Sequence, residues 1–246
     1  MLKAQCVLTP PESKRLIAKG IVVLPEVAQA REKGTIIISW GSTCACVVEE
    51  LTGERVAWER YVAGYIGSGE LKVSAGDDRM PPVVLQNGVR VDVHPKDALT
   101  AFGAHDVFIK GANAIDLDRN VGILLQNDCG GTIGMALGIL AARGSHLVLP
   151  VGLEKLIPSV PDASNVCGLQ TVDYATGKKV GLMPVMYGKT VTEIDAVYLL
   201  SGADAVHIAS GGLEDSQGAI TLVIYGSAQK VESAIEIIER IKDGQR

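Results

Sequence analysis

Two segments of the chain share a pattern in which an apolar run ends at a Gly-rich polar turn and a helix follows. The first covers residues 35–51 and turns at 39–43, and the second lies within residues 106–149 and turns at 127–132. The N–H groups that begin a helix are unpaired, and together with the helix dipole they attract anions. The pattern therefore predicts strands that end at a ligand crevice.

The amino-acid composition favours an α/β core. Of the 246 residues, 47% are hydrophobic but only 4% are aromatic, so Val, Ile, Leu and Ala must fill the interior. Such a core is typical of parallel sheets that are buried on both faces. We expect a helix-covered sheet domain over residues 1–158 and a smaller domain over 159–246, which begins with a breaker-rich connection at 159–173.

Two local patterns predict antiparallel pairing outside the parallel strands. Asn87-Gly88 stands between two apolar runs, which indicates a β-hairpin. In the C-terminal part, strands are predicted at 182–186, 205–209 and 219–225, and helices at 192–200 and 227–242. This order resembles a ferredoxin-like unit, in which helices cover one antiparallel sheet.

Charge and cysteine usage exclude several classes of protein. The net charge is -5 and no basic run is present, which argues against nucleic acid as a partner. No apolar stretch approaches the ~20 residues of a membrane span, and the first residues lack the apolar region of a signal peptide. The five cysteines match no zinc or disulfide spacing. We expect a cytoplasmic protein with free thiols, no metal and no cofactor, and positive mean hydropathy favours a homo-oligomer.

The candidate ligand-binding residues lie where the predicted strands end. Backbone N–H groups and hydroxyls of the first turn would hold an anion, although ordinary helix capping is the simpler use of such residues. Lys110 ends an apolar strand and would meet an anion at the carboxyl edge of the sheet, unless it pairs with Asp106 or Asp116. The full predicted set is Gly41, Ser42, Thr43, Lys110, Gly111, Asn113, Gly130, Gly131 and Thr132.

The candidate catalytic residues are Asp116, Asp128 and Cys129. Carboxylates transfer protons, and a thiol beside a helix N-terminus has a lowered pKa that makes it reactive. The alternative for residues 127–132 is a tight turn that contains a small buried cysteine.

Taken in order, these motifs resemble ribose-5-phosphate isomerase A, within the wider group of isomerase, glucosamine-phosphate deaminase and CoA-transferase-like folds. The phosphate-cradling GTGST of that family corresponds to residues 39–43, its DGADEID to 110–116, and its KGGGGALLREK to the segment that starts at Asn127. Lys155-Leu156 falls in the relative place of a Lys-Leu pair of the family. The resemblance covers roughly residues 14–157, and it implies a Rossmann-like, mostly parallel sheet with helices on both faces. The C-terminal unit is similar in type to the small lid of that family.

The chain departs from the family at the residues that perform its reaction. The first two acidic positions hold Lys110 and Asn113, the lysine position holds Asn127, and the general base is replaced by Ala136. Among the acidic positions only Asp116 remains. Because enediol chemistry needs a positioned base, the resemblance implies an anion cradle without the isomerase reaction.

Three hypotheses about function follow. The first is an enzyme that acts on a small phosphorylated or carboxylated metabolite with isomerase- or lyase-like chemistry. The second is a non-catalytic metabolite-binding or regulatory protein that retains the fold. The third, a CoA transferase, requires a nucleophilic Glu at a loop apex, and neither Gly-rich turn contains one.

Overall fold

The structure is a computed structural model that describes residues 1–244. Within them, eight α-helices and several sheets form a mixed α/β fold. The helices are α1 (Pro10–Val22), α2 (Pro25–Lys33), α3 (Ser42–Thr52), α4 (Pro95–Thr100), α5 (Gly131–Arg143), α6 (Val160–Val166), α7 (Glu193–Ser201) and α8 (Ala228–Lys242). The strands are β1 (Leu2–Leu8), β2 (Thr35–Ile38), β3 (Gly64–Gly67), β4 (Glu70–Val73), β5 (Val83–Gln86), β6 (Val89–Val91), β7 (Val107–Ile109), β8 (Ala114–Ile115), β9 (Val121–Leu125), β10 (His146–Pro150), β11 (Gly181–Val185), β12 (Lys189–Val191), β13 (Asp204–Gly211) and β14 (Ala219–Gly226).

A mixed sheet of six strands forms the centre of the molecule, in the order β12-β10-β7-β2-β5-β6. The first four strands run parallel to their neighbours, and β5 and β6 complete the sheet as an antiparallel hairpin. The hairpin turns at Asn87 and Gly88, which have φ angles of 50° and 77°. The predicted Asn-Gly hairpin is therefore confirmed.

Helices cover both faces of this sheet, because successive strand residues point to opposite sides. Ile36 and Ile38 belong to a core shared with α1, α2 and α3. Ile37, between them, belongs to a second core shared with α4 and α5. All three side chains are fully buried. This explains the continuous run of β-branched residues in β2, since a strand buried on both faces has no polar side.

The first strand, which no sequence signal indicated, completes a C-terminal sheet. β1 pairs antiparallel with β14 along its whole length, and β13 pairs with the other edge of β14. Helices α7 and α8 contribute to the core beneath this sheet. The predicted strand at 182–186 is present as β11, but it pairs with β9 and not with β13 or β14. The predicted boundary at residue 158 is crossed in both directions, by β1 and by β12, which pairs with β10.

The connections that follow β2 and β7 meet at the carboxyl edge of the sheet. Helix α3 follows β2 directly and lies on one face, whereas α5, the next long helix after β7, lies on the other face. Ligands of open α/β sheets bind at the carboxyl ends of parallel strands, where these connections lie. Among residues 1–244, no helix has the length and apolar character needed to cross a membrane.

Candidate functional site

The first two site residues, Ser39 and Lys110, continue the register of β2 and β7 beyond the strand ends. Ile38 pairs with Ile109 in the sheet. The N–H of Ser39 donates to the carbonyl of Ile109 at 2.9 Å, and the N–H of Lys110 donates to Val148 at 3.0 Å. Extending the register by one residue places Ser39 beside Lys110 at the carboxyl edge of the sheet.

Glycines allow the two loops that follow to touch. Gly41 has a φ of 155°, and a Cβ built on it would lie 3.8 Å from the Cα of Gly111 and 3.6 Å from the sulfur of Cys44. A Cβ built on Gly111 would lie 3.6 Å from the same sulfur. Cys44 is fully buried and forms the floor under both glycines. The predicted ligand-binding residues Gly41, Lys110 and Gly111 are thus brought together in space.

Helix α3 presents its N-terminus to this place. Gly41 is its N-cap and supplies no side-chain hydrogen bond. The N–H groups of Ser42, Thr43 and Cys44 have no intrahelical acceptor, because they belong to the first turn. The helix is 11 residues long, so its dipole adds positive potential at the same end. The alternative of an ordinary Ser or Thr side-chain cap is not what the geometry shows, because Gly41 is the N-cap.

Contacts with Met80 and Arg79 hold the Trp40 side chain on one side of the loop. Its indole N–H donates to the carbonyl of Met80 at 2.7 Å, and the guanidinium of Arg79 lies 4.9 Å from the ring centre. The amide of Gly41 donates to the carbonyl of Tyr61 at 2.9 Å. These contacts fix the backbone that leads into α3.

Two lysine ammonium groups converge on the same loops. The Nζ of Lys110 donates to the carbonyls of Gly111 and Trp40, at 3.2 and 3.4 Å. The Nζ of Lys155 donates to the carbonyl of Ala112 at 2.9 Å. The alternative salt bridge of Lys110 with Asp106 or Asp116 is absent among the described residues, since Lys110 finds only carbonyl oxygens. Asp106 instead accepts the backbone N–H groups of Thr35 and Gly103.

The surroundings of the two lysines oppose their positive charge. Burial lowers the pKa of Lys110, and the neighbouring Lys155 lowers it further. Burial likewise lowers the pKa of Lys155, while Glu154 acts in the opposite direction. Cys44 would neutralise them as a thiolate, but burial raises the pKa of its thiol, so it is a neutral thiol at pH 7. An anion placed here would compensate the charge of both ammonium groups.

Ser39 provides an unsatisfied polar group beside the lysines. Its side chain is 1% exposed, and its hydroxyl is the buried side-chain oxygen without a hydrogen-bond partner among residues 1–244. Burying a hydroxyl without a partner costs roughly 1–3 kcal/mol. Such a group in a folded protein calls for an explanation, and a ligand that binds next to Lys110 supplies one.

The turn that carries Lys155 is held by a buried carboxyl group. Glu193 is fully buried at the start of α7, and its two oxygens accept the N–H of Leu153 at 3.0 and 3.3 Å. Burial raises the pKa of Glu193 to about 7. Leu153 begins the short 3-10 helix Leu153–Lys155, so Glu193 positions Lys155 through the backbone.

The second Gly-rich turn has different surroundings. The side-chain oxygen of Asn127 accepts the N–H groups of Cys129 and Gly131, at 2.9 and 3.3 Å, which closes the turn on itself. The atoms nearest to Gly130 belong to Gly134 and to Met183 of β11. Cys129 is exposed, contrary to the alternative of a small buried cysteine. Asp128, Cys129, Gly130, Gly131 and Thr132 remain predicted site residues, and no contact joins them to the lysine pair in the described contacts.

Two other predicted residues have hydrogen bonds that stabilise loops. Asp116 is 4% exposed, and its carboxylate accepts the N–H groups of Asn120 and Val160, both at 2.9 Å. Burial would raise its pKa, but these hydrogen bonds outweigh that effect and hold the pKa below its usual value. Asn113 accepts the N–H of Leu124 at 3.0 Å and so attaches β9 to the loop after β7.

Sequence reasoning did not select three of the groups that the structure places here: Ser39, Cys44 and Lys155. The sequence did indicate Lys155, because Lys155-Leu156 falls in the relative place of a Lys-Leu pair of the isomerase family. Ser39 lies in the predicted turn at 39–43, but only the packed structure shows that its hydroxyl lacks a partner. Cys44 had no signal, because only the packed structure shows that it faces two glycines.

Two shallow surface depressions lie away from these residues. One, of about 340 Å³, is lined by β4 and residues 177–178, and the other, of about 240 Å³, lies between residues 118–120 and 185–190. The lysine site is therefore distinguished by its two ammonium groups and by the unpaired hydroxyl of Ser39, and not by the depth of a pocket. No protein-family model matches the sequence, and a search of curated proteins gives no match.

Proposed function

We propose that the protein binds a small metabolite through its phosphate or carboxylate group, at the carboxyl edge of the central sheet. The ligand anion would lie between the first turn of α3 and the ammonium groups of Lys110 and Lys155. The observation that carries this proposal is that two lysine ammonium groups bind loop carbonyls and form no salt bridge among residues 1–244, near the end of β2 where the buried hydroxyl of Ser39 has no partner. The carboxyl ends of parallel strands are where ligands of open α/β sheets bind, which supports this position.

Energetics support an anion at this place. A buried ammonium group loses hydration, and the carbonyl oxygens of the loops replace only part of it. A phosphate or carboxylate would add charge-assisted hydrogen bonds, each of about 1.5–3 kcal/mol, to the lysines and to the free N–H groups of α3. The same anion would give Ser39 a hydrogen-bond partner.

Whether a reaction follows binding separates two versions of the proposal. Isomerase- or lyase-like chemistry would use a proton-transferring group, for which Asp116, Asp128 and Cys129 are the sequence candidates. The engagement of Asp116 with backbone N–H groups favours a non-catalytic binding or regulatory protein, unless another group of the site is reactive. A cytoplasmic homo-oligomer remains the expectation for the whole protein.

Thermal unfolding in the presence of ligands tests the binding site. A ligand that binds only the folded state raises the melting temperature by mass action. We expect inorganic phosphate, ribose 5-phosphate or pyruvate to stabilise the wild-type protein, and Lys155→Met to lose most of this stabilisation. Lys33→Met is the matched control, because Lys33 is exposed and lies at the amino end of β2. Equal stabilisation of wild type and Lys155→Met by all three probes would contradict the proposal.

A further inference from the structure

We propose that Lys110 is a nucleophilic amine that captures the carbonyl group of the bound anionic ligand as a Schiff base. This inference rests on the proposed anion site and names the class of ligand that it takes. The ligand is a small aldehyde or ketone that also carries a carboxylate or phosphate. None of the sequence candidates for chemistry, Asp116, Asp128 or Cys129, is needed for this step.

The two lysines differ in the groups that face them. Lys110 faces Lys155, the neutral thiol of Cys44 and the carbonyls of Trp40 and Gly111. No carboxylate is among these groups. Lys155 faces Lys14 and Cys44, but also the acidic side chains of Glu154 and Glu193. The acidic neighbours favour the charged form of Lys155, and no carboxylate does so for Lys110, so we assign anion binding to Lys155 and the reactive amine to Lys110.

This arrangement meets the requirement for a nucleophilic lysine. A lysine reacts with a carbonyl only as the neutral amine, and enzymes obtain that form by burial or by placing a second cation nearby. Both conditions are present, because Lys110 is desolvated at the end of β7 and Lys155 lies close enough to lower its pKa. Lys155 and the first turn of α3 would bind the anionic group and hold the carbonyl carbon near Lys110.

Formation of the Schiff base requires no reactant other than the Lys110 amine and the ligand. The electron pair of the Lys110 Nζ forms a C–N bond to the carbonyl carbon, and the C=O electron pair takes up a proton to give a carbinolamine. The second N–H proton is then lost, the C–O bond breaks and water leaves, so the net change is amine plus carbonyl to imine plus water. The protonated imine withdraws electrons from the adjacent bond, which is the electron sink that isomerase- or lyase-like chemistry requires.

The geometry limits the size of the ligand. The Lys110 Nζ lies 3.4 Å from the carbonyl of Trp40, immediately before the N-cap of α3. With the anion on the first turn of α3, the atom that reacts and the bound anion would be separated by only a few bonds. A short 2-oxo acid fits this spacing, as does a two- or three-carbon aldehyde phosphate.

Reductive trapping tests the inference. Wild-type protein is incubated with pyruvate and sodium borohydride, which reduces an imine to a stable secondary amine, and the adduct is located by peptide mass mapping. We expect a single pyruvate-derived adduct on Lys110, and its loss when inorganic phosphate is added first as a competitor. Lys110→Arg, checked for cooperative unfolding, should give no adduct at neutral pH.

The pH dependence of trapping distinguishes a reactive lysine from a structural one. A lysine with only a structural role would not change the pH at which trapping begins. Trapping on Lys110 should begin at lower pH than on the exposed Lys33. Removing the neighbouring charge in Lys155→Met should shift the Lys110 profile to higher pH. An unchanged profile in that variant would overturn the assigned role of Lys155.

The outcomes distinguish this inference from the proposed function. If phosphate stabilises the wild-type protein through Lys155 but pyruvate gives no adduct on Lys110, the Schiff base is wrong and the anion site stands. Adducts spread equally over Lys110 and exposed lysines would also overturn the inference. If neither phosphate stabilisation nor an adduct is observed, both proposals fail.

Discussion

Glu193 accepts a hydrogen bond at 3.0 Å from the backbone N–H of Leu153, across an interval of 40 residues in the chain. The contact joins the start of α7 to the turn that delivers Lys155. Because the carboxyl group is fully buried and its pKa is raised to about 7, the protonation state of one interior residue is coupled to the geometry of the site.

The first prediction concerns stability as a function of pH. Burial raises the pKa of Glu193 from 4.5 to about 7. Between these values the folded protein retains a proton that the unfolded chain releases, so this group's contribution to stability is full below about pH 4.5 and is lost as pH rises through 7. The loss amounts to about 3 kcal/mol, from ~1.4 kcal/mol per unit of pKa shift. Urea unfolding at about pH 5 and pH 8 measures it.

Glu193→Gln is the control for that prediction. The amide keeps an acceptor for the N–H of Leu153 but does not ionise, so the decrease between the two pH values should become smaller by about the same amount. A decrease of the same size in the variant and the wild type would show that Glu193 is not its source.

The second prediction separates stability from binding at Ser39. Ser39→Ala removes a buried hydroxyl that has no partner, so it should raise the free energy of unfolding by about 1 kcal/mol. The same change should weaken stabilisation by phosphate. Ser145→Ala is the matched control, because the fully buried Ser145 donates to the carbonyl of Gly103 at 2.8 Å and its removal should cost about 1 kcal/mol. Destabilisation of similar size in both variants would mean that Ser39 has a partner in solution.

The third prediction concerns the close packing of α1 against α7. A Cβ at Gly20 would lie 2.8 Å from the Cβ of Ala196 and 2.9 Å from its Cα, so backbone would have to move. Gly20→Ala should therefore destabilise the protein by about 1–3 kcal/mol despite the better helix propensity of alanine. In Gly138→Ala, on the open face of α5, propensity alone acts and should stabilise by up to about 1 kcal/mol. Chemical denaturation of both variants would reveal the opposite signs, and equal signs would contradict the packing argument.

The fourth prediction concerns the support under the carboxyl end of β2. The buried hydroxyl of Tyr61 donates to the carbonyl of Ile38 at 2.7 Å and accepts the N–H of Val83 at 3.0 Å. Tyr61→Phe leaves both backbone groups without this partner and should cost about 1–3 kcal/mol. Because Ile38 directly precedes Ser39, phosphate stabilisation should also decrease. A variant as stable as the wild type would show that water replaces the hydroxyl.

Local signals were sufficient to predict much of the fold. The continuous β-branched run of β2, the Asn87-Gly88 turn and the Pro at the start of α2 each specify local structure through backbone preferences. The pairing partners required more than local signals. β1 has an exposed face and a weak apolar pattern, and nothing near it in sequence shows that β14 needs a partner at its edge. The assignment of β11 to the C-terminal sheet failed for the same reason, since pairing with β9 is a long-range property.

The site residues divide in the same way, into those that local rules predict and those that only the packed structure reveals. Lys110 and the turn at Gly41 follow from the rule that ligands meet the carboxyl ends of parallel strands. The unpaired hydroxyl of Ser39 and the neutral thiol of Cys44 are consequences of packing, which residue type alone does not reveal. Residues 127–132 follow β9, which pairs with β8 and β11 outside the central sheet, and no local pattern indicates that pairing.

A crystal structure of the protein grown in inorganic phosphate tests the central claim most directly. We predict tetrahedral density within hydrogen-bond distance of the Ser42 and Thr43 amides, the hydroxyl of Ser39 and the ammonium group of Lys110 or Lys155. Phosphate bound only to exposed lysines such as Lys33, with these groups contacted by water alone at a saturating concentration, would contradict it.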